Sequence, residues 1–452
     1  MSRLLVIGGG IAGLAAAWRV RSLSENGEVT VLEKDARLGG KILTEQRDGF
    51  VLDAGADGFL SRKPAGVGLC GELGITDLLR EQVPRTNRSF VMRAHKLHPL
   101  PQGFSGLVPA NLQALQETPL LSEAGKLKAM EEPSVPPRRD PGDESVSQFM
   151  TRRFGSEAFE ALIEPLLAGI YAGDASCLSM EATFPNLREL EQRQGSVLAG
   201  LRRQEAGPTS SPAFVTFPRG VGELVDALRE SLRAARVHLI TGAEATAVRR
   251  RAGSWRVELS DGALIDAEAV ILAVPSGAAA WLLDGVDPEL SAALGAIPCT
   301  STAVIHLGFR RADLADDLDG YGYVIPRREG SDLRACTWTS SKWEGRAPRG
   351  MVLVRLYARR LGSDEDLEAL ARAELRDTMG IAATPELTRI FRWPDAMPQY
   401  TLGHPRRLET IQARCAALEG LFLAGASYRG VGIPDCIESG FQAGTAAMEH
   451  MR

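Results

Sequence analysis

The chain has 452 residues, of which 44% are hydrophobic and 24% charged, and its formal net charge at pH 7 is −5. This length suits two or three domains, and a slightly acidic chain without a basic stripe is a poor candidate for binding nucleic acid. The six cysteines are scattered and the six histidines form no HExxH motif, which predicts reduced thiols and no metal site. We expect neither a signal peptide nor a transmembrane helix, hence a cytoplasmic protein, with peripheral membrane contact left open.

The first predicted elements are a buried strand and a helix that are joined by a glycine-rich turn. Residues 4–7 form an apolar run typical of a parallel strand, and residues 14–20 form an alanine-rich helix. Gly8 allows the tight turn, Gly10 lets a pyrophosphate approach the backbone, and Gly13 lets the helix pack on the strand. The free N–H groups of the helix would face the phosphates. The spacing therefore predicts a dinucleotide-binding turn.

A carboxylate at the end of the second predicted strand indicates which dinucleotide this turn accepts. The strand covers residues 29–32, and Glu33 follows it. A Glu at this place accepts hydrogen bonds from a ribose 2′-OH and repels a 2′-phosphate. NAD and FAD both fit, and a glycine-rich turn without a ligand is the alternative.

A second glycine-rich region follows Glu33. It consists of RLGGK at residues 37–41 and DAGAD at residues 53–57. The pair resembles the extension of the FAD-binding amine oxidase superfamily, which NAD dehydrogenases do not usually carry. A dinucleotide with a long ribityl arm needs backbone contacts beyond the pyrophosphate, which this region would supply. The resemblance implies FAD and an α/β fold: a Rossmann-like FAD-binding domain, a mixed-sheet substrate domain and an inserted helical domain.

Changes of pattern along the chain predict how these domains follow one another. The FAD-binding domain is expected in three pieces, at residues 1–84, 205–295 and 410–452. Residues 85–204 are expected to form a helical domain that faces the substrate or a membrane. Residues 296–409 alternate strands with one helix and are expected to form the substrate-binding sheet.

Local signals place single elements within these segments. Asp143 is predicted to cap a helix, and Pro165 to bend or stop the next one. The pair Asp261-Gly262 predicts a hairpin. The closing helix is predicted to begin near Pro434, a favoured residue for the first helical position.

Three longer stretches are AGIYAGDASCLSMEATFPNL at residues 168–187, FRWPDAMPQYTLGH at 391–404 and LAGASYRGVGIPDCIESG at 423–440. They resemble the oxygen-dependent porphyrinogen oxidases, which aromatise protoporphyrinogen IX or coproporphyrinogen III in haem synthesis, and the resemblance runs nearly end to end. It implies a six-electron oxidation in three two-electron rounds, with O2 reoxidising the flavin and yielding H2O2. It implies no particular general base, so no catalytic residue is predicted.

The resemblance also implies a set of cofactor-binding residues. The segment 431–433 would lie beside the flavin, and the following helix would direct its N-terminus at flavin N1, where reduced flavin is negative. Trp393 would flank the flavin, with a core residue as the alternative, and Ala245 would touch the adenine side. The predicted cofactor-binding residues are Gly8, Gly10, Ile11, Ala12, Gly13, Glu33, Lys34, Gly40, Lys41, Gly55, Ala56, Asp57, Gly58, Ala245, Trp393, Gly425, Val431, Gly432 and Ile433.

On the substrate side, the resemblance implies that the Gly169 backbone faces the porphyrinogen. Tyr321, Gly322 and Val324 match a strand that lines the macrocycle pocket. Aromatic and aliphatic walls suit a wide apolar ring. A place in the sheet core is the alternative for Val324, and to a lesser degree for Tyr321.

Two arginines are alternatives for holding a substrate propionate. Mitochondrial and plant protoporphyrinogen enzymes place an Arg before an aromatic residue, but here Ser89 fills that slot and Arg88 precedes it. One step along a strand reverses the side-chain direction, so Arg88 would miss the pocket. Arg355 lies on an apolar strand and needs an anion: a propionate, or a carboxylate of the protein. Its surroundings resemble the bacterial coproporphyrinogen branch, which favours coproporphyrinogen III.

Two other classes of protein fit parts of the pattern. An amine oxidase or a carotenoid desaturase of the same superfamily is one, although the aromatic content of 6% argues against an aromatic amine-binding cage. A prenyl-binding protein of the GDP-dissociation-inhibitor type is the other, and it would carry out no redox chemistry. The flavin-side segment GVGIP disfavours the second class.

Overall fold

The computed structural model describes residues 3–84, 89–140, 142–204, 214–315 and 317–452. A five-stranded parallel sheet and a seven-stranded mixed sheet are the two largest sheets of this described part. Helices cover both sheets and form a third layer between residues 112 and 204. The predicted α/β fold class, with a Rossmann-like sheet, a mixed sheet and a helical unit, is confirmed.

The strands of the described residues are numbered in chain order. They are β1 (Arg3–Ile7), β2 (Glu28–Glu33), β3 (Thr44–Arg47), β4 (Phe50–Asp53), β5 (Phe59–Leu60), β6 (Arg80–Glu81), β7 (Ser89–Arg93), β8 (Lys96–Pro99), β9 (Phe104–Ser105), β10 (Val108–Pro109), β11 (Phe214–Thr216), β12 (His238–Thr241), β13 (Ala245–Arg251), β14 (Ser254–Leu259), β15 (Leu264–Ala267), β16 (Ala269–Leu272), β17 (Cys299–Arg310), β18 (Gly322–Val324), β19 (Leu333–Thr337), β20 (Met351–Ala358), β21 (Leu387–Pro398) and β22 (Leu421–Leu423).

The helices are numbered in the same way. They are α1 (Ile11–Leu23), α2 (Pro64–Glu72), α3 (Leu112–Glu117), α4 (Glu123–Met130), α5 (Val146–Phe154), α6 (Ser156–Ala158), α7 (Glu164–Tyr171), α8 (Met180–Thr183), α9 (Pro185–Gln194), α10 (Val197–Gln204), α11 (Gly222–Ala234), α12 (Ser276–Leu283), α13 (Pro288–Gly295), α14 (Thr339–Lys342), α15 (Asp364–Met379), α16 (His404–Ala416) and α17 (Ile433–His450).

The parallel sheet has the strand order β12, β2, β1, β16, β22. Its central strands are nearly all apolar because both faces are covered, as parallel sheets require. In β1, Leu5 pairs with Thr30 of β2 and with Val270 of β16. Helices α1, α11 and α17 pack on one face, and α12, α13 and the small sheet β13–β15 pack on the other. Three distant parts of the chain thus meet in one sheet, while the domain bounds given above stay a prediction.

The seven-stranded sheet has the order β21, β17, β20, β19, β18, β7, β8, and β7 runs parallel to β18. The strands β7 and β8 lie in the segment for which a helical pattern was predicted, so the helical layer begins only at α3. The reason is that β7 pairs with a strand more than two hundred positions away, which its local pattern does not reveal. Helix α15 covers one face of this sheet.

The helical layer differs from the prediction at one cap, and at Pro165 a helix begins instead of stopping. Ser145, not Asp143, caps α5, because its side chain accepts a hydrogen bond from the Gln148 backbone. Asp143 instead accepts hydrogen bonds from the Ser179 hydroxyl and the Gly403 amide. One π-helical segment, Phe159–Ile163, precedes α7, and Pro165 is the second residue of α7, where a residue without an N–H is tolerated.

Within the described residues, no helix combines the length and the apolar character that crossing a bilayer requires.

Candidate functional site

The glycine-rich turn after β1 has the geometry that its spacing predicts. Gly8 has φ of +108°, and a Cβ there would collide with the Ala273 carbonyl. A Cβ on Gly13 would collide with the Gly8 carbonyl. At Gly10, by contrast, no atom lies within 4 Å of the place of a Cβ. Protein atoms therefore pack against Gly8 and Gly13, whereas the space beside Gly10, at the start of α1, is open.

Three further glycines let neighbouring backbone segments pack closely beside Gly10. Gly39 forms a parallel bridge with Gly10, and a Cβ on Gly40 would lie 3.2 Å from the Gly10 Cα. Gly55 lies against the same segment, since a Cβ on Gly55 would lie 2.7 Å from the Lys41 carbonyl oxygen. The structure thus brings together the glycines that the two predicted regions place far apart in the chain.

Gly425 extends this row of glycines on the side of β22. A Cβ on Gly425 would lie 4.0 Å from the Cβ of Ala12, and its φ is +122°. Its N–H donates to the Ser439 hydroxyl of α17 at 3.0 Å. Ala12, together with Ile11, forms the buried first turn of α1. We call the set Gly10, Gly39, Gly40, Gly55 and Gly425 the glycine strip.

Glu33 lies beside one end of the glycine strip. Its carboxylate accepts hydrogen bonds from the Gly9 N–H at 2.7 Å and the Asp35 N–H at 2.9 Å. These contacts fix the carboxylate at the carboxyl end of β2, where a ribose would lie. Ala245 starts β13 two residues after Ala243, whose N–H donates to the Glu33 carbonyl. The predicted adenosine-side residues therefore meet, and the exposed Lys34 follows them.

The N-terminus of α17 lies at the other end of the site. Gly432 is its N-cap, and its N–H donates to Asp435 Oδ2 at 3.2 Å. Lys63 balances that carboxylate, with Nζ 2.6 Å from Asp435 Oδ1. Val431 packs against the helical layer, whereas Ile433 packs against the cofactor-side core. The predicted flavin-side segment therefore spans the junction of the two layers.

Tyr400 holds this segment and was not singled out from the sequence, although it lies within the stretch at residues 391–404. Its hydroxyl donates to the Ala426 carbonyl at 2.6 Å and accepts from the Gly430 N–H at 2.7 Å. Its ring stacks on His404 with centroids 4.4 Å apart. Tyr400 thereby fixes both ends of the turn between β22 and α17. The available signal was its place within the stretch at residues 391–404, which carries the family resemblance.

Buried charges support the segment after β4. Asp57 lies 2.9 Å from Arg355 Nη2 and 3.1 Å from Lys342 Nζ, and Asp53 Oδ2 lies 3.2 Å from Arg346 Nη2. Burial alone would raise the pKa of Asp57, but Lys342 and Arg355 outweigh it and hold that pKa well below its ordinary value. We call Asp53, Asp57, Lys342, Arg346 and Arg355 the buried charge cluster. Three cations face two carboxylates in it.

Arg355 is 2% exposed and is engaged by the protein itself. Besides Asp57, it donates through Nη1 to the carbonyls of Asp53 at 3.1 Å and Gly55 at 2.9 Å. Of the two partners that the sequence allows for Arg355, the structure shows the carboxylate of the protein. It gives no support to a substrate propionate at Arg355. The other alternative, Arg88, lies outside the described residues.

His306 of β17 lies under the same segment and is fully buried. Its Nε2 lies 3.1 Å from the Asp53 carbonyl oxygen, so Nε2 carries the proton of the neutral ring. Burial, reinforced by the charge of Arg355, lowers the pKa of His306 to about 3. His306 is therefore a neutral support of the backbone at Asp53.

The remaining predicted residues of this segment differ in exposure. Ala56 is exposed, while a Cβ on Gly58 would lie 2.7 Å from the Val215 carbonyl. Trp393 is half-buried and donates through its indole N–H to the Ala54 carbonyl at 2.7 Å. Lys41 is exposed at the glycine strip, and its Nζ donates to the Ala396 carbonyl. The segment 54–58 is thus held from β21 and presents small residues outward.

The predicted substrate residues lie where β18 approaches α7. Gly169 is exposed, with no atom within 4 Å of the place of a Cβ. Tyr321 donates to the Val83 carbonyl at 3.2 Å, and Val324 is half-buried against the helical layer. Gly322 is buried with φ of +126°, and a Cβ there would collide with the Cys336 carbonyl. Packing alone therefore explains why residue 322 is a glycine. The assignments of Gly169, Tyr321, Gly322 and Val324 to the substrate stay predictions.

The site fits a flavin dinucleotide. Open space lies beside Gly10 and Gly425, while the other members of the glycine strip let backbone segments pack closely between Glu33 and the N-terminus of α17. Backbone N–H groups and helix N-termini at α1 and α17 suit a pyrophosphate and an electron-rich ring. FAD would be held by the glycine strip along its length and by Glu33 at its ribose.

Comparison with protein families matches residues 11–448 to the family described as flavin containing amine oxidoreductase. Among curated proteins, the chain is 35% identical to coproporphyrinogen III oxidase of Bacillus subtilis (strain 168), covering 99% of this chain and 98% of that protein. It is 31% identical to coproporphyrinogen III oxidase of Staphylococcus aureus (strain NCTC 8325 / PS 47), covering 96% of each. It is also 31% identical to protoporphyrinogen oxidase of Bos taurus, covering 97% of each.

Solved structures give the same picture. A protein from Exiguobacterium sp. 255-15 assigned as a protoporphyrinogen oxidase superposes with a TM-score of 0.87, at 31% identity and 99% coverage of both chains. Reduced UDP-galactopyranose mutase superposes with a TM-score of 0.76 over 99% of this chain and 96% of its own. Its identity of 16% shows a shared fold alone.

These matches confirm the predicted FAD cofactor and the resemblance that three stretches of the sequence indicated. They agree with the glycine strip and with a carboxylate at the end of β2. The chain belongs to the flavin containing amine oxidoreductase family, among its porphyrinogen oxidase relatives.

Proposed function

We propose that this protein is an FAD-dependent porphyrinogen oxidase of haem biosynthesis that oxidises coproporphyrinogen III to coproporphyrin III. The observation that carries the proposal is the 35% identity to a coproporphyrinogen III oxidase over 99% of the chain. The glycine strip supports it, because a redox role requires a place for the flavin. Both bacterial relatives named above are coproporphyrinogen III oxidases, which favours that substrate over protoporphyrinogen IX.

When bound, FAD supplies a two-electron acceptor, and we propose O2 as the oxidant that regenerates it in each of three rounds. The residues of the chain position the cofactor and the substrate, and they exclude water from the site. The glycine strip and Glu33 hold the dinucleotide, and Tyr400 fixes the turn that faces the ring. Gly169, Tyr321 and Val324 are assigned to the walls of the macrocycle pocket. No side chain is assigned a proton-transfer role, since flanking pyrroles activate the meso carbon.

The test is porphyrin fluorescence, followed in air with purified FAD-loaded protein and either coproporphyrinogen III or protoporphyrinogen IX, corrected for autoxidation. Faster turnover of coproporphyrinogen III, with one O2 consumed and one H2O2 formed per two electrons, is the expected result. Preference for protoporphyrinogen IX would reassign the substrate. No enzymatic rate with either substrate would overturn the proposal and bring an amine oxidase or a desaturase forward.

A matched control is the Gly10→Val variant. A valine fills the open front of the glycine strip and blocks the approach of a pyrophosphate, while φ at this position, −71°, suits any residue. The variant is expected to fold without bound flavin and to give the autoxidation rate. Turnover equal to that of the unchanged protein would mean that the measured oxidation does not depend on the flavin site.

We propose the cytoplasm as the location, with peripheral contact of the helical layer with a membrane as an additional possibility to test. Sedimentation with anionic vesicles distinguishes the two, because only a membrane-bound protein follows the pellet.

A further inference from the structure

The guanidinium group of Arg334, on β19, has two buried nitrogens that find no hydrogen-bond partner in the described part of the chain. The residue is 8% exposed, and its Nε and Nη1 atoms lie buried and unpaired among the residues that the structure describes. A buried cation without a partner is destabilising, because it loses hydration and gains no compensating hydrogen bond. Such a group points to an anion that joins it from outside the chain.

Other charged groups surround Arg334 and leave an excess of positive charge. Burial and the nearby charge of Arg359 lower the pKa of Arg334 to about 10, while Glu164 acts in the opposite direction. Arg327 pairs with Asp174 at 2.6 Å, and its N–H donates to Glu164 at 3.3 Å. Three guanidinium groups thus face two carboxylates. We call Arg327, Arg334, Arg359, Glu164 and Asp174 the Arg334 cluster.

Arg334 lies on β19, the strand that pairs with the predicted substrate strand β18. The Arg334 carbonyl accepts a hydrogen bond from the N–H of Ile325, the neighbour of Val324. A bulge between Leu333 and Ala335 makes Arg334 the extra residue of its strand, and β18 and β19 both contact α7. Glu164, the first residue of α7, is among the charges that act on Arg334.

Helix α7 also carries exposed apolar surface. Gly169 lies five residues after Glu164, and Ile170 is 45% exposed. Five residues of an α-helix rise about 7.5 Å, so a macrocycle that contacts Gly169 is wide enough to bring a peripheral substituent near the start of α7.

We propose that the Arg334 cluster is a carboxylate-binding subsite that holds one propionate of the porphyrinogen. This inference rests on the proposed function and deepens it. A guanidinium binds a carboxylate through two parallel N–H donors, which a lysine cannot reproduce. One propionate would balance the excess positive charge. Arg334 is then a binding residue that fixes the orientation of the ring toward the flavin.

The experiment compares the affinities of coproporphyrin III and its tetramethyl ester for the FAD-loaded protein, measured by quenching of porphyrin fluorescence. The Arg334→Met variant is expected to bind the free acid about tenfold more weakly, with the ester unaffected, because only the acid offers a carboxylate. Arg334→Lys is expected to recover part of the loss. Arg328→Met removes an equal charge from a neighbouring exposed residue and is the control with unchanged affinity for both ligands.

Thermal stability separates this role from a structural one. Because two buried Arg334 nitrogens are unpaired among the described residues, replacing Arg334 by methionine is expected to keep or raise the melting temperature while affinity for the free acid falls. An equal loss of affinity for acid and ester, or no loss for either, would overturn the subsite. Failure of the proposed function would show separately, as absence of porphyrinogen oxidation by the unchanged protein.

Discussion

At the scale of single residues, Arg355 shows how a buried cation supports a cofactor site from behind. The Arg355→Met variant removes two hydrogen bonds to the segment 53–55 and leaves Asp57 with Lys342 alone. Breaking a buried pair in this way costs about 3–5 kcal/mol. We expect the variant to retain little FAD after purification and to melt at lower temperature, as measured by flavin absorbance per protein and by thermal denaturation.

The control for Arg355 lies on the neighbouring strand. Arg310 pairs with Glu386 at 2.8 Å, but both side chains are about half exposed, at 62% and 45%. The Arg310→Met variant should therefore lose less than about 1 kcal/mol and no FAD. If Arg355→Met kept its FAD and its stability but lost affinity for the free-acid porphyrin, the result would support propionate binding by Arg355 and contradict the supporting role.

His306 predicts a pH dependence of stability. Its pKa is about 3 when folded, against 6.5 for the ordinary group. Between these values the unfolded chain binds a proton that the folded chain does not, so stability falls as pH falls below about 6.5. The loss amounts to about 1.4 kcal/mol per pH unit for this group. Urea unfolding midpoints between pH 7 and about pH 5 measure it.

The His306→Gln variant is expected to flatten that dependence, because glutamine keeps an N–H donor for the Asp53 carbonyl and does not titrate in this range. The exposed His238→Gln variant is the control and should leave the slope unchanged. Identical slopes in all three proteins would assign the acid sensitivity to other groups.

Residue-level prediction succeeded where the determinant is local. Gly8 and Gly13 act within one βαβ unit, so their spacing alone indicates their roles in the turn. Glu33 lies at the end of β2 as its spacing predicts, and its contact with a ribose stays a prediction. Arg355 could not be read in this way, because its partner Asp57 is brought to it by the pairing of distant segments. The sequence indicated only that an arginine on an apolar strand needs an anion.

At the scale of elements, the contact between α1 and α17 positions the flavin-side helix. A Cβ on Gly440 would collide with the Ala12 carbonyl, and one on Gly444 would lie 2.6 Å from the Ala16 carbonyl. The two helices therefore approach through glycines. Their approach places the start of α17 beside the glycine strip.

The Gly440→Ala variant is expected to push α17 away from α1. Overpacking of this kind costs about 1–3 kcal/mol, and it should also weaken FAD binding because the helix N-terminus moves. Thermal denaturation and FAD titration of the apoprotein measure the two effects. Gln442→Ala, on the exposed face of α17, is the control. A stable variant with unchanged FAD affinity would show that the two helices need no such close contact.

The turn between β22 and α17 gives a second element-scale prediction. The Tyr400→Phe variant leaves the partly buried Gly430 N–H and Ala426 carbonyl without their partner, and an unsatisfied polar group costs about 1–3 kcal/mol where it is fully buried. We expect about tenfold weaker FAD binding by titration of the apoprotein. Tyr428→Phe, in the same turn, removes a buried hydroxyl that has no hydrogen-bond partner among the described residues and should be neutral. Equal effects of the two variants would contradict a clamping role of Tyr400.

Elements were predictable where their pattern is complete in a short stretch. The strand–turn–helix at the N-terminus and the hairpin at Asp261-Gly262 are both present, since β14 and β15 pair across that turn. The strands β7 and β8 were not foreseen, because their stabilising partner β18 lies far along the chain. Asp143 was taken for a helix cap because its type suits the position, but Ser145 lies two residues closer to the apolar helix face.

At the scale of the whole molecule, FAD is expected to join parts of the chain that are distant in sequence. The parallel sheet takes β1 and β2 from the first part, β12 and β16 from the middle and β22 from the last. The predicted cofactor residues Gly10, Ala245 and Gly425 come from the same three parts. A single ligand that contacts all three should couple their stabilities.

This coupling predicts a large effect of FAD on thermal unfolding. At one hundred times the dissociation constant, a ligand that binds only the folded state adds about 2.7 kcal/mol. Titration of the apoprotein with FAD should therefore raise the midpoint temperature of a single cooperative unfolding transition, measured by calorimetry. In hydrogen exchange, FAD should protect the backbone amides of β1, β16 and β22 together. ADP offers only the adenosine and pyrophosphate groups and is the control, expected to protect β1 and β2 more than β22. If FAD protected only the N-terminal βαβ unit and left β22 unchanged, the glycine strip would not act as one site, because its member Gly425 would then make no contact with the cofactor.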